Sequence, residues 1–95
     1  MESSRVASYL NLARKANSLI IGTENLKKHN KKLYLILLSK TAGKTAKSVA
    51  QMQQEKTGCL LVETDLDLGE MLNVNKCQIV ALKNKGLADM VIQNL

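Results

Sequence analysis

The stretch LYLILLSKTAGKTAKSVAQ, residues 33–51, decides the fold. It opens with an unbroken apolar run from Leu33 to Leu38, which is typical of a central strand covered on both faces. Small residues and lysines follow this run. Apolar residues then return at helical spacing, and the predicted inward face of the helix consists of Ala46, Val49, Ala50 and Met52. A buried strand that leads into an amphipathic helix indicates a sheet with helices packed against it.

The same alternation of strands and helices extends outward in both directions. We predict further strands at residues 18–21, 59–62 and 78–82. The other predicted helices are a first one that stops near Asn17, a polar one at residues 24–31, the helix at 42–56 that Gly58 closes, and helices at 66–72 and 87–95. This order predicts an α/β/α sandwich, and the length predicts one domain over residues 1–95.

The charge of the chain favours an acidic partner. Lysine and arginine number 14 against 8 acidic residues, which gives a net charge of +6 and a pI near 9.5. RNA, DNA and anionic membrane are the candidate partners. The aromatic residues are Tyr9 and Tyr34, with no Phe or Trp, which is too few for a fold that stacks single-stranded bases. A nucleic acid would therefore be recognised mainly by its shape and backbone.

The remaining composition argues against membranes, metals and disulfides. The start of the chain, MESSRVASYL, contains no apolar stretch long enough for a signal peptide or a membrane span, so we expect a cytoplasmic protein without a membrane partner. Cys59 and Cys77 are isolated and are expected to stay reduced. His29 is the single histidine and lies among lysines, where we expect it to be exposed.

The tripeptide Gly43-Lys44-Thr45 resembles the end of a nucleotide-binding loop. Such a loop requires GxxxxGK[ST], because its first glycine lets the backbone curl around phosphates. Leu38 stands at the position of that glycine, so we expect no nucleotide enzyme and no small-molecule substrate. Two alternatives remain for this turn. It is either a solvated connection in which Ser39 and Thr41 satisfy backbone donors, or a turn that grips a nucleic-acid backbone.

A second candidate site begins at Gly22, where a predicted strand ends and a helix begins. Glycine lets another backbone approach closely, and a helix start offers free N–H groups to a phosphate. Glu24 and Asn25 can present an acceptor and an amide to base edges, and Lys28 lies one turn further on. Ordinary capping by Thr23 with solvated lysines would explain the same residues, so both interpretations stay open.

Three longer segments carry a resemblance to a known family. They are LNLARKANSLIIGTENLKK, YLILLSKTAGKTAKSV and LGEMLNVNKCQIVAL, in this order along nearly the whole chain. The chain resembles the ribosomal L-seven-Ae family, which binds kink-turns in RNA, and is most similar to its small bacterial YlxQ-type members. The resemblance implies an α/β/α sandwich with a four-stranded mixed sheet. It also implies an RNA-binding module that recognises structured RNA, associates with the ribosome, and has neither catalytic activity nor a cofactor.

The family's signature is Gly-x-Asn-Glu-x-x-Lys, which opens the second helix and contacts sheared guanine–adenine pairs. Gly22 and Lys28 match it, whereas Glu24 and Asn25 stand in reversed order. The family also contacts RNA through the loop after the fourth helix, where this chain has a polar sequence with Lys76. The implied RNA-binding residues are Gly22, Thr23, Glu24, Asn25, Lys27, Lys28, Lys40, Gly43, Lys44, Asn73, Val74, Asn75 and Lys76.

One alternative function fits the same fold. A protein–protein module could carry its positive charge for solubility or for non-specific affinity to RNA. The placement of the lysines separates the two hypotheses, because clustering on one face favours RNA and an even scatter favours the alternative. The lysines that matter are Lys27, Lys28, Lys40, Lys44, Lys47 and Lys76. In either case we expect a monomer.

Overall fold

The computed structural model describes residues 3–95 and contains a four-stranded mixed sheet. The strands are β1 (Leu19–Ile21), β2 (Leu35–Ser39), β3 (Leu60–Thr64) and β4 (Ile79–Leu82), in the spatial order β1-β4-β2-β3. β2 pairs with β3 in parallel, and β4 runs antiparallel to both β1 and β2. The predicted central strand is therefore confirmed, since β2 has a neighbour on each side and its first four residues are buried.

Five helices cover the two faces of the sheet. They are α1 (Ser3–Lys15), α2 (Thr23–Lys28), α3 (Lys44–Thr57), α4 (Leu68–Leu72) and α5 (Lys85–Gln93). Along β2, Ile36 and Leu38 join one core with residues of α2 and α3. Leu35 and Leu37 point the other way, into a core shared with α1, α4 and α5. The predicted α/β/α sandwich with its mixed sheet is confirmed.

The strand directions give the sheet two distinct ends. At the end we call the top, β1, β2 and β3 finish and β4 begins. Backbone hydrogen bonds link these strand ends, from Gly22 N to Ile79 O at 3.1 Å and from Ser39 N to Gln78 O at 2.8 Å. At the bottom end, β1, β2 and β3 begin and β4 finishes. The connections 22–23, 40–43, 65–67 and 73–78 consequently meet at the top.

Two expectations for the helices are wrong. The second helix ends at Lys28 and does not continue to residue 31. In α3, Met52 is 43% exposed, and its neighbour Gln53 is fully buried on the inner face together with Ala50. The reason is tertiary, because the Gln53 side chain donates to the carbonyl groups of Leu26 and His29 at 2.8 and 2.7 Å. A methionine could not supply those donors.

The histidine also differs from expectation. His29 follows the last residue of α2 and is half-buried, not exposed. Its Nε2 atom is buried without a hydrogen-bond partner in residues 3–95. Cys59 and Cys77 are free thiols. Over the described part of the chain, no helix combines the length and the apolar character that crossing a membrane requires.

Candidate nucleic-acid interface

The start of α2 is shaped by Gly22. This glycine is the N-cap residue, with φ 93° and ψ 155°, a conformation that is essentially restricted to glycine. No side chain among residues 3–95 caps this helix, so Thr23 does not fill the capping role. Within the same residues, nothing lies within 4 Å of the place where a Gly22 side chain would begin. The first turn of α2 therefore opens to solvent with its N–H groups available.

The side chains of α2 face outward around this opening. Glu24 and Asn25 are both exposed in the first turn. Asn25 Nδ2 donates to the carbonyl oxygen of Ile21 at 2.9 Å, so one amide proton is already used to hold the helix against β1. The remaining amide proton and Oδ1 are open to a ligand. Lys27 and Lys28 are exposed in the last turn.

The start of α3 has a similar construction. Gly43 is its N-cap in an extended conformation, and no side chain in the described chain caps the helix. Gly43 N donates to Gln78 Oε1 over a long 3.4 Å, which joins this turn to the start of β4. Lys44 and Lys47 are exposed in the first turn. Cations are disfavoured there by the helix dipole, whereas an anion is favoured, so helix stability does not account for these lysines.

The other two helices with described caps differ from this pattern. Asp67 caps α4 by accepting from Glu70 N at 3.0 Å, and Asn84 caps α5 by accepting from Leu87 N at 2.9 Å. Their first turns therefore have a side-chain acceptor already in place. Among the helices whose caps are described, α2 and α3 have no side-chain cap, and both begin after a glycine at the top end of the sheet. The top end thus presents free donors from two directions.

The loop 73–76 is held in a fixed shape. Asn73 and Lys76 adopt left-handed conformations with φ 54° and 50°. Val74 N donates to Gly69 O at 2.9 Å, and a methyl group on Gly69 would lie 2.8 Å from Val74 O. These restraints orient Lys76 while Val74 packs partly into the core. A loop fixed in this way can present polar groups with little loss of conformational freedom on binding.

Two side chains of α1 support that loop from behind. Asn11 Nδ2 donates to Met71 O at 3.0 Å. Arg14 Nη1 donates to Leu72 O at 2.6 Å. Both acceptors belong to the last turn of α4, whose carbonyl groups otherwise lack partners within the helix. Neither residue was among the predicted site residues, since only the fold brings α1 to the end of α4.

A groove of about 950 Å³ lies at the top end. Residues from the segments 39–41, 65–70 and 73–78 line it. Its lining includes Lys40 and Lys76 and also the carboxylates of Asp65, Asp67 and Glu70. These carboxylates were not predicted, although the acidic sequence TDLDLGE at 64–70 could have indicated them. The groove therefore contains charges of both signs, and Lys40 belongs to the turn that leads into α3.

The predicted residues fall into three neighbouring groups. Lys40, Gly43 and Lys44 lie beside Gln78, and the loop 73–76 shares a groove with Lys40. Gly22 is connected to Ile79, the residue next to Gln78. Lys27 and Lys28 are in the last turn of α2, and neither lines the groove. Gln78 joins these groups and was missed from sequence, because a glutamine at a strand start carries no distinctive pattern.

Cys77 is the thiol that lines the groove. Burial raises the pKa of the Cys77 thiol, a hydrogen bond to Ile79 O lowers it, and the charge of Asp67 raises it further. The net result is a thiol that stays protonated and weakly nucleophilic. Within residues 3–95, no group of three or more His, Cys, Asp or Glu side chains is placed to hold a metal ion.

Comparisons with known proteins concern the fold. No family model matches the chain, and no curated protein matches it. A solved structure of a protein of unknown function from Bacillus halodurans is similar over 95% of each chain, with a TM-score of 0.78 and 21% sequence identity. A Giardia lamblia 15.5 kDa RNA-binding protein is similar over 96% of this chain and 82% of its own, with a TM-score of 0.68 and 16% identity. The chain thus shares its whole fold with proteins that have diverged widely in sequence.

Proposed function

We propose that the protein binds structured RNA at the top end of the sheet, as a member of the ribosomal L-seven-Ae family. The observation that carries this proposal is the pair of uncapped, glycine-started helices, α2 and α3, that open at the same place. Free backbone N–H groups beside lysines are suited to phosphate oxygens. The shared fold with an RNA-binding protein of Giardia lamblia supports the proposal.

The start of α3 is the proposed contact for the RNA backbone. With 14 residues, α3 has a substantial dipole, and its positive end lies at Gly43. Lys40, Lys44 and Lys47 surround that end and are exposed. A phosphate bound there accepts hydrogen bonds from free amides and neutralises lysines that otherwise repel one another.

The start of α2 is the proposed contact for bases. α2 has only six residues, so its dipole is small, and its free N–H groups act as individual donors. Glu24 can accept hydrogen bonds from a guanine edge, and Asn25 retains one donor and one acceptor. Lys28 follows Glu24 by one turn and can reach an adjacent phosphate. Kink-turn RNA, with its exposed sheared guanine–adenine pairs, is the ligand we infer from the family resemblance.

The carboxylates of the groove restrict how RNA approaches. Asp65, Asp67 and Glu70 would repel a phosphate backbone laid across the β3–α4 connection. The RNA therefore lies over α2 and the turn into α3, with Lys76 at its border. Base edges with amino donors can still face these carboxylates.

A titration of the protein against three fluorescent RNAs tests the proposal. The RNAs are a kink-turn, the same sequence with its guanine–adenine pairs replaced by Watson–Crick pairs, and an unstructured strand of equal length. We expect the kink-turn to bind most tightly and each affinity to fall steeply with salt, because neutralised phosphates release counterions. Equal affinity for all three would refute specific recognition. No measurable binding at low salt would refute RNA binding altogether.

The reversed pair Glu24 and Asn25 offers a sharper test of the base contact. Exchanging the two residues, to Asn at 24 and Glu at 25, restores the order of the family signature. We expect the exchange to tighten kink-turn binding while it lowers stability by about 1 kcal/mol, since the Asn25 bond to Ile21 O is lost. Unchanged kink-turn affinity would show that this pair does not touch the bases.

A further inference from the structure

The bottom end of the sheet carries a second set of lysines. Lys15 precedes β1, Lys31 and Lys32 precede β2, Lys56 precedes β3, and Lys83 and Lys85 follow β4. We call this set the bottom lysine stripe. All of its members are exposed except Lys83, which is half-buried.

The stripe runs across the sheet in the order of the strands. Lys83 N donates to Ser18 O at 2.8 Å, and Tyr34 N donates to Leu82 O at 2.9 Å, so the strand ends that carry these lysines are directly adjacent. Neighbouring strands in a sheet lie about 4.8 Å apart, so the four strand ends span roughly 14 Å. The lysines come from four separate parts of the sequence, and only folding aligns them.

Helix stability explains the presence of only some lysines in the stripe. Lys15 and Lys56 lie in the last turns of α1 and α3, where a cation complements the helix dipole. Lys85 is the first residue of α5, at the end of a helix where a cation is disfavoured. Lys31 and Lys32 lie in a connection outside any helix. Exposed like charges that come within the screening length of about 8 Å repel one another until an anion binds.

We propose that the bottom lysine stripe is a second RNA-binding surface, which contacts the phosphate backbone of another RNA segment. The two ends of the sheet face opposite ways, so one protein molecule bridges two RNA segments. The stripe consists of helix ends and short connections next to the four strand ends, and such a row of charges suits a linear polyanion. A membrane surface is the less suitable partner, because the helices next to the stripe, α1, α3 and α5, pack their apolar sides into the two cores of the protein.

Two charge-matched variants test this proposal. The bottom variant carries Lys31→Gln, Lys32→Gln and Lys85→Gln, and the top variant carries Lys28→Gln, Lys40→Gln and Lys44→Gln. Both remove the same charge from exposed positions, and circular dichroism confirms that each is folded. Affinities are measured for a perfectly paired RNA duplex and for a kink-turn RNA at low salt. We expect the bottom variant to lose about tenfold more affinity for the duplex than the top variant does.

The results distinguish this proposal from the proposed function. An equal loss of duplex affinity in both variants would show that the total charge of the protein attracts the duplex. It would overturn the proposed second surface. A second outcome would also overturn the proposal. If the wild-type protein binds anionic phosphatidylglycerol vesicles more tightly than the duplex, and the bottom variant loses this vesicle binding, the stripe is a membrane-binding surface. A ternary complex of wild-type protein with both RNAs in native mass spectrometry supports bridging, and mutual competition contradicts it. If the top variant binds the kink-turn as tightly as the wild type does, the proposed site at α2 and α3 is refuted. That result does not bear on the bottom lysine stripe.

Discussion

The conformation of Gly22 sets the geometry at the start of α2. Its φ of 93° and ψ of 155° suit glycine, whereas Gly43 has φ −77° and lies in open space within the described structure. We expect Gly22→Ala to cost about 1–3 kcal/mol through backbone strain, with no steric clash involved. Gly43→Ala is the matched control and should change stability by less than about 1 kcal/mol. Urea unfolding of both variants measures this difference, and equal effects would contradict the account of Gly22.

Gln53 positions the proposed base-contacting helix. Its buried amide holds the carbonyl groups of Leu26 and His29, and α2 is too short to be stable without such support. We expect Gln53→Met to destabilise the protein by about 2 kcal/mol, because the His29 carbonyl loses its donor and the Leu26 carbonyl keeps only the hydrogen bond from His29 N.

Hydrogen exchange and a matched variant separate this role from general packing. Gln51→Met lies on the exposed side of α3 and should be nearly neutral. In Gln53→Met, amide protection in α2 should fall more than protection in β2, and affinity for RNA should fall even where the protein is fully folded. A uniform loss of protection with unchanged RNA affinity would assign Gln53 to packing only.

At the scale of single residues, the sequence predicted the glycines and lysines of the candidate site but not the residues that hold them in place. The sequence alone identified Gly22, Gly43 and Lys44 as candidate site residues, because local structure seldom explains a glycine or a lysine next to a strand end. Gln53, Gln78 and Arg14 act across long sequence separations, and their partners are backbone carbonyl or amide groups that no sequence pattern shows. Met52 was assigned inward for the same reason, since helical spacing alone does not separate it from Gln53.

At the scale of elements, a capping residue at the start of α3 should raise the stability of the protein and lower its affinity for RNA. Gly43→Asp supplies the missing cap and places a negative charge at the positive end of the helix. We expect stability to rise by about 0.5–1 kcal/mol. RNA affinity should fall about tenfold, because the carboxylate occupies the donors and repels phosphate.

The uncharged variant Gly43→Asn separates the two causes. It offers the same capping acceptor without the charge, so it should weaken RNA binding less than Gly43→Asp does. Thermal unfolding and RNA titration of both variants provide the measurement. If Gly43→Asp raises stability and leaves RNA affinity unchanged, the phosphate does not bind at α3.

Element order was the most predictable feature of the fold. The apolar run 33–38 and the helical spacing that follows it gave β2 and α3, and the remaining strands lie within a few residues of their predicted positions. The end of α2 was less predictable, because residues 29–31 are polar and compatible with a helix. The tether from Gln53 turns the chain at His29, and that contact is tertiary.

At the scale of the whole molecule, the net charge of +6 is unevenly distributed. The top end combines Lys40, Lys44 and Lys76 with the carboxylates of Asp65, Asp67 and Glu70, whereas lysines dominate the bottom end. The sequence gives the sum but not this division, since residues from distant segments meet only in the folded sheet. In the proposed complex, the number of phosphates that the lysines neutralise sets the salt dependence of RNA binding, and the placement of the charges sets the orientation of the RNA.

The affinity of a short kink-turn RNA for wild-type protein, Lys28→Ala and Arg5→Ala tests the central claim most directly. Lys28 lies on α2 beside the proposed contact, whereas Arg5 is an exposed residue of α1 on the opposite layer. Each variant removes one positive charge. We predict that Lys28→Ala weakens binding about fivefold and reduces the salt slope by about one, while Arg5→Ala stays within twofold of wild type. Equal effects of the two substitutions would contradict an RNA site at the top end of the sheet.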